Sequence, residues 1–150
     1  MQEHSGGCQC GAVRFHAGKI GRASICHCRM CQKAFGSFFA PLVSADQAHL
    51  TWTRGQPTLY RSSKKVHRGF CPKCGTPLTY HHSGGVEIAI GAFDHPETIE
   101  PEVQVNFDSH LPWIKTLFDK PSVPQALEAG DIISFQHPDH DTATWPQKEE

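Results

Sequence analysis

Short apolar runs, broken by glycine and proline, make up most of this chain. Ala12-Val13-Arg14-Phe15-His16 alternates apolar and polar residues, which predicts a short strand with one buried face. Residues 37–44 are rich in aromatic and apolar side chains and predict a buried strand. Further strands are predicted at 50–53, 58–61, 66–70, 77–80, 86–93 and 103–107. Residues 26–35 predict a tight turn running into a short helix that Gly36 ends, and residues 111–118 a second short helix. Residues 1–7 are polar and predicted loose, and 17–25 are predicted to be a polar turn. Beyond Pro121 the pattern weakens. Ile132-Ile133-Ser134-Phe135 is apolar enough to pack back onto the domain, whereas 137–150 is polar, carries Pro138 and Pro146, and predicts a flexible tail. Many short strands between turns point to a mainly β protein built of antiparallel sheets. The expected organisation is one domain over 1–136, with its core at about 6–120, and a tail at 137–150.

Composition sharpens this picture. Thirteen Gly and eleven Pro in 150 residues disfavour long helices, and a 38% hydrophobic content leaves a modest core that needs a further staple. The formal charge of −1 gives no electrostatic footprint for nucleic acid or an anionic membrane, and no apolar run approaches a membrane span. Nucleic-acid binding and membrane association are therefore not expected.

The staple is visible in the cysteines. Seven of them fall in tight clusters: Cys8-Gln9-Cys10, Cys26-His27-Cys28-Arg29-Met30-Cys31 and Cys71-Pro72-Lys73-Cys74. Thiolates two or three residues apart converge on one ion, and zinc favours such soft ligands in a tetrahedral shell. A disulfide framework fits poorly, because the number is odd, Met1 to Cys10 holds no apolar signal segment, and C-x-C disulfides are strained. Redox use of Cys28/Cys31 or Cys71/Cys74 lacks the βαβ context. Reduced thiols and no targeting segment point to the cytoplasm. With all seven cysteines deprotonated around two zinc ions, the net charge falls to about −4.

Seven ligands make one closed site of four and one open site of three, and spacing permits two partitions. Cys28, Cys31, Cys71 and Cys74 form one possible quartet, in the manner of a zinc ribbon, leaving Cys8, Cys10 and Cys26. Alternatively Cys8, Cys10, Cys71 and Cys74 join, leaving Cys26, Cys28 and Cys31. The second is preferred. Its trio lies within six residues and wraps one ion locally, and its quartet closes a long loop, where a metal clip stabilises most.

These motifs resemble a known family. Gly6-Gly7-Cys8-Gln9-Cys10-Gly11-Ala12-Val13-Arg14-Phe15, Cys26-His27-Cys28-Arg29-Met30-Cys31-Gln32-Lys33 and Phe70-Cys71-Pro72-Lys73-Cys74-Gly75-Thr76-Pro77-Leu78 are similar, in order and distance, to the three motifs of the glutathione-dependent formaldehyde-activating enzymes. This group includes S-(hydroxymethyl)glutathione synthase and the centromere protein V-related zinc domain. The resemblance spans roughly residues 6–120 and implies a β-tent fold. It implies a structural zinc on Cys8, Cys10, Cys71 and Cys74, and a catalytic, more labile zinc on Cys26, Cys28 and Cys31. It also implies a small thiol such as glutathione as partner, and a carbon–sulfur lyase-type reaction that condenses glutathione with formaldehyde. The chemistry is consistent with this: an open site of three thiolates suits holding and releasing a soft sulfur better than activating water. A non-catalytic zinc module that binds a protein is the alternative, and an open or closed trio distinguishes the two.

Other residues carry weaker signals. His27 can back the ligands or shuttle protons, but a solvent-facing ring is the favoured expectation. His81 and His82 can face the open site, though a surface pair is favoured. Arg61, Lys64, Lys65 and Arg68 can grip glutathione carboxylates, but a solvated basic strand edge is favoured. Phe35, Phe38 and Phe39 can wall the second metal, with core packing the default. Trp113, after His110, is similar to an aromatic position late in the family domain. Relatives often carry a His-Ile-aromatic segment shortly before it. Here Gln104-Val105-Asn106 stands instead, a departure expected to leave the metal sites untouched and to bear on the substrate.

Overall fold

The computed structural model describes residues 2–125, 130 and 134–145. Among these described residues, ten strands form two sheets. β1 (His4–Gly7), β2 (Arg14–Ala17) and β5 (Leu50–Arg54) make the smaller sheet, antiparallel in the order β1-β2-β5. The larger sheet contains β3 (Ile20–Cys26), β4 (Ala40–Ala45), β6 (Thr58–Arg61), β7 (His67–Phe70), β8 (Pro77–His82), β9 (Gly85–Ala89) and β10 (Val103–Val105). Its order is β10-β3-β4-β9-β8-β7-β6. Every pairing is antiparallel except β10 on β3. The α-helix α1 (Arg29–Phe35) follows β3, and Gly36 ends it in the left-handed region at φ 58°. No described helix is long and apolar enough to cross a membrane.

The core lies between the two sheets. Phe15 on β2 is fully buried and meets Trp52 and Phe93 edge-on, at 5.9 and 5.2 Å between ring centroids. Val13, Val43, Leu78 and Ile88 complete the contact. Burying one such side chain contributes about 1.5–3 kcal/mol. Gly6 lets the smaller sheet approach: a Cβ there would lie 2.4 Å from the Ala92 carbonyl oxygen, beside the bridge from Gly6 to Phe93. Of the three glycines flanking the first cysteine pair, only Gly11 takes a positive φ, 82°. Gly6 serves packing instead.

The mainly β architecture agrees with the alternation in the sequence, and the differences have physical causes. Residues 4–7 and 20–26 form strands rather than a loose end and a polar turn. Apart from Ile20 and Ile25 their side chains are small or polar, so backbone pairing, not side-chain alternation, makes them strands. The strand predicted at 86–93 stops at Ala89 and becomes a 3-10 turn over Ile90–Ala92. That predicted at 103–107 stops at Val105. The helix predicted at 111–118 is a 3-10 helix over Ile114–Asp119.

The predicted flexible tail needs correction over residues 137–145. His137 is 4% exposed and its amide donates to the Gln9 carbonyl at 2.7 Å. Trp145 Nε1 donates to the Cys10 carbonyl at 2.7 Å. Asp141 accepts from Arg14 at 2.8 Å and pairs with His16 Nε2 at 2.6 Å. Arg14 is itself buried and bidentate with Asp94, at 2.7 and 2.6 Å. The polarity of this segment thus consists of paired groups. Ile132 and Ile133 lie outside the described residues, and Phe135 is exposed rather than packed back.

Candidate metal centres

Two turns of similar build bring four cysteines together. After β1, the Cys8 amide donates to the Val13 carbonyl, and the Gly11 amide returns to the Cys8 carbonyl. Between β7 and β8, Cys71 and Thr76 repeat the first bond, and Gly75 and Cys71 the second. The sulfurs of Cys8, Cys10, Cys71 and Cys74 all lie within 4.8 Å of one another. Cys8–Cys10 is 3.6 Å and Cys10–Cys71 is 3.9 Å. Four thiolates about 2.3 Å from a tetrahedral zinc stand about 3.8 Å apart, so the donor set fits that ion. Amide N–H groups already point at sulfur, from Val13 to Cys8 at 3.2 Å and from Lys73 to Cys71 at 3.4 Å. Thr76 Oγ1 lies 3.2 Å from Cys74 Sγ.

Cys26, Cys28 and Cys31 form the second cluster, again within 4.8 Å. Cys26 closes β3, Cys28 caps α1 and accepts from the Cys31 amide at 3.3 Å, and Cys31 sits in the first turn of the helix. Among the described residues no fourth histidine, cysteine or carboxylate joins them. Two side chains from distant segments complete the surroundings. Asn106 Nδ2 donates to Cys26 Sγ at 3.4 Å, and Arg68 Nη2 to Cys31 Sγ at 3.5 Å. Asn106 holds φ 52°, the one positive φ at a non-glycine among the described residues, and asparagine tolerates that conformation better than most. The parallel pairing of Val105 with Cys26 brings it there.

The thiol acidities follow from this packing. Burial pushes Cys8 and Cys31 up to about 12. Burial opposes ionisation of Cys74 as well, but hydrogen bonds from the Thr76 side chain and backbone outweigh it and bring Cys74 down to about 6. Cys28 is likewise lowered, against its burial, by the Cys31 amide and the neighbouring thiols, with help from Arg68. Each cluster thus pairs a readily ionised sulfur with a reluctant one, and a bound cation favours the thiolate in both.

The sulfurs are grouped as in the preferred partition. Several other expectations change. His27 does not face solvent. Its ring is fully buried against Phe39 and Phe107, with Nε2 2.8 Å from Gln104 Oε1 and Nδ1 without a partner. Gln32 donates to the His27 carbonyl at 2.8 Å, tying α1 to β3. His81 turns to Thr79 Oγ1 at 2.8 Å. Arg68 leaves the basic edge for the interior, while Arg61, Lys64 and Lys65 are exposed, as a solvated edge requires. Phe35 packs against both core clusters, including the one around the trio, whereas Phe38 meets Trp113 at the surface. The departure at Gln104-Val105-Asn106 does not leave the trio untouched, because Asn106 contacts Cys26. Sequence reasoning gave neither Asn106 nor Thr76 a contact with a cysteine sulfur. The only local signal was an asparagine directly after a β-branched strand residue.

The family of glutathione-dependent formaldehyde-activating enzymes matches residues 3–109, well over half of the chain. Among solved structures, a Rhodobacter sphaeroides protein determined as a structural genomics target shares 23% identity, with a TM-score of 0.53. The match covers 68% of this chain and 99% of that one, and it speaks to the fold alone.

Proposed function

The chain belongs to the glutathione-dependent formaldehyde-activating enzyme family, and we propose that it is a zinc-dependent carbon–sulfur lyase-type enzyme that joins glutathione to formaldehyde. In this reading Cys8, Cys10, Cys71 and Cys74 hold a structural zinc, and Cys26, Cys28 and Cys31 hold a catalytic one. The observation that carries it is the inequality of the clusters: four sulfurs close one site, and three leave a coordination position for a substrate sulfur.

A zinc ion in the trio would supply a coordination position that lowers the pKa of a bound thiol. The protein's own groups prepare that position. Asn106, the Cys31 amide and Arg68 each donate to a different ligand sulfur, spreading the charge of three thiolates and fixing their directions. Cys31 and Cys26 are buried, which keeps water from competing. The glutathione sulfur then attacks the formaldehyde carbon. One C–S bond forms, the carbonyl π pair moves to oxygen, and that oxygen takes up the proton the thiol released. The product is S-hydroxymethylglutathione, with no oxidant or reductant required. His27 takes no part in proton transfer in this scheme, since Nε2 is engaged by Gln104 in the interior.

Cobalt substitution tests the reading. Adding glutathione should change the ligand-field spectrum of one of two cobalt ions, with release of a proton and weaker binding as pH falls. S-methylglutathione, which has no ionisable thiol, should bind much more weakly. An unchanged spectrum at saturating glutathione would favour a non-catalytic interaction module instead.

A further inference from the structure

Beside the trio, α1 and the strands β6 to β8 border an open cavity of about 610 Å³. Arg29, Lys33 and Arg68 contribute to its wall, and among the described residues no aspartate or glutamate does. Most of the remaining wall is apolar, which strengthens any charge interaction within it. Arg29 and Lys33 are exposed on the helix. Arg68 is not: it is 8% exposed. Its Nε donates to Ser62 Oγ at 2.9 Å, its Nη2 to Cys31 Sγ at 3.5 Å, and its guanidinium lies 4.9 Å from the centre of the Tyr80 ring. Nη1 is buried and has no hydrogen-bond partner.

The other buried arginine shows what is missing. Arg14 is matched by Asp94 in a two-pronged pair and by Asp141. Among the described residues no carboxylate forms an ion pair with Arg68. Nη2 meets the sulfur of Cys31, but a buried guanidinium whose other donor, Nη1, is unsatisfied is costly to keep, and a carboxylate from outside would relieve that cost. Nη1 and Nη2 belong to one planar group, so an anion on Nη1 is held a few bond lengths from the trio.

We propose that this cavity seats a carboxylate-bearing arm of the thiol substrate. Arg68 donates from Nη1 to a carboxylate oxygen, and the site thereby selects acidic thiols over neutral ones. The inference rests on the reading of the trio as a thiol site. Arg68 is a positioning residue in it, joining the substrate's anionic group to the sulfur of Cys31. Arg29 and Lys33 stand at the surface side, where a second anionic group would meet them.

The test compares glutathione with its diethyl ester, which keeps the thiol but loses both negative charges. On the zinc-loaded protein, calorimetry should show the ester binding roughly ten- to a hundredfold more weakly, the span of a lost charge-assisted hydrogen bond. On Arg68→Met the two compounds should bind within about threefold of each other, while cobalt-substituted protein still reports sulfur ligation by both. Arg68→Gln, which keeps a polar side chain beside Ser62 but carries no charge, takes its place with the same expected outcome if the methionine variant does not fold. Equal binding of acid and ester to the unaltered protein would overturn the proposal. So would discrimination that survives at Arg68 and disappears in Lys33→Gln, which would assign recognition to the exposed helix. S-methylglutathione and its diester separate the two ideas. If no thiol alters the cobalt spectrum but the S-methyl acid still binds more tightly than its ester through Arg68, carboxylate recognition stands and the thiol reading falls.

Discussion

The two cysteine clusters are built from similar ligands but supported in different ways. In the quartet, sulfurs receive hydrogen bonds from the backbone amides of Val13 and Lys73, with Thr76 at Cys74. All three lie in the same turns as the ligands. In the trio, one donor is the Cys31 amide, but the other two are the side chains of Asn106, just past the end of β10, and Arg68 on β7, both far along the chain. Backbone donors persist whatever residues the turns carry. Side-chain donors vanish with a single substitution. With two backbone donors against one, the quartet is therefore better insulated from sequence change than the trio, the division expected if one is a staple and the other handles a substrate.

The strongest way to break this comparison is to remove one ligand from each cluster. Cys71→Ser should destabilise the whole domain, because the quartet joins turns 61 residues apart, as the contact of Cys10 with Cys71 shows. Releasing a closed loop of that length costs about 4 kcal/mol in chain entropy alone. Cys28→Ser should lose one metal equivalent and activity while keeping most of the melting temperature. Equal losses in thermal melts would remove the distinction.

Metal removal sharpens it next. A mild chelator should take one equivalent from the trio and leave the circular dichroism spectrum native, since an open site exchanges with solvent. Simultaneous loss of both equivalents with the fold would contradict unequal support.

A smaller effect is expected from Asn106→Gly, which keeps the positive φ but deletes the donor to Cys26. Metal affinity at the trio should fall roughly tenfold, and that of the quartet should not change. Competition with a coloured chelator reads both. Asn106→Ala should lose somewhat more, because alanine resists the left-handed backbone.

The smallest effect concerns the segment 137–145 over the quartet. Asp141, by hydrogen bond and charge, raises the pKa of His16 above its usual 6.5, and Glu3 adds to this. That contribution is fully present below 6.5 and is lost as pH rises through the raised value. Burial would raise Asp141, but hydrogen bonds from His16 and Arg14 outweigh it and hold its pKa below 3.8, so its contribution is present above that value and lost as pH falls. Both groups are partly exposed, and the effect should be modest. Melting temperatures of Asp141→Asn and the unaltered protein should differ most between pH 4 and 6.5, converge as pH falls below 3.8, and narrow without converging as pH rises through the raised His16 value, because the pairing of Asp141 with Arg14 persists. A difference independent of pH would place the contribution elsewhere.

Much of the candidate site is legible in the chain itself. Ligand spacing, the helix after Cys28 and its end at Gly36 are decided within a few residues, by turn geometry and capping. Most strands follow from alternation. The rest depends on pairing between distant segments. Ile20–Cys26 reads as a polar turn until β4 and β10 lie against it. Arg68 reads as one of four basic residues on an edge, and only the antiparallel pairing of β7 with β8 places it over Tyr80 and against Cys31.

The sequence by itself determined the cysteine clusters and the mainly β character, because each rests on chemistry confined to short stretches of backbone, while which four sulfurs meet was left between two partitions. The tertiary structure alone decided what surrounds the ligands. Asn106 reaches Cys26 through a parallel strand pair, Arg68 is left with an unpartnered donor at a cavity, and residues 137–145 lie over the turn at Cys10. A polar side chain carries the same letter whether it meets solvent, a sulfur or a carboxylate, and only packing selects among them.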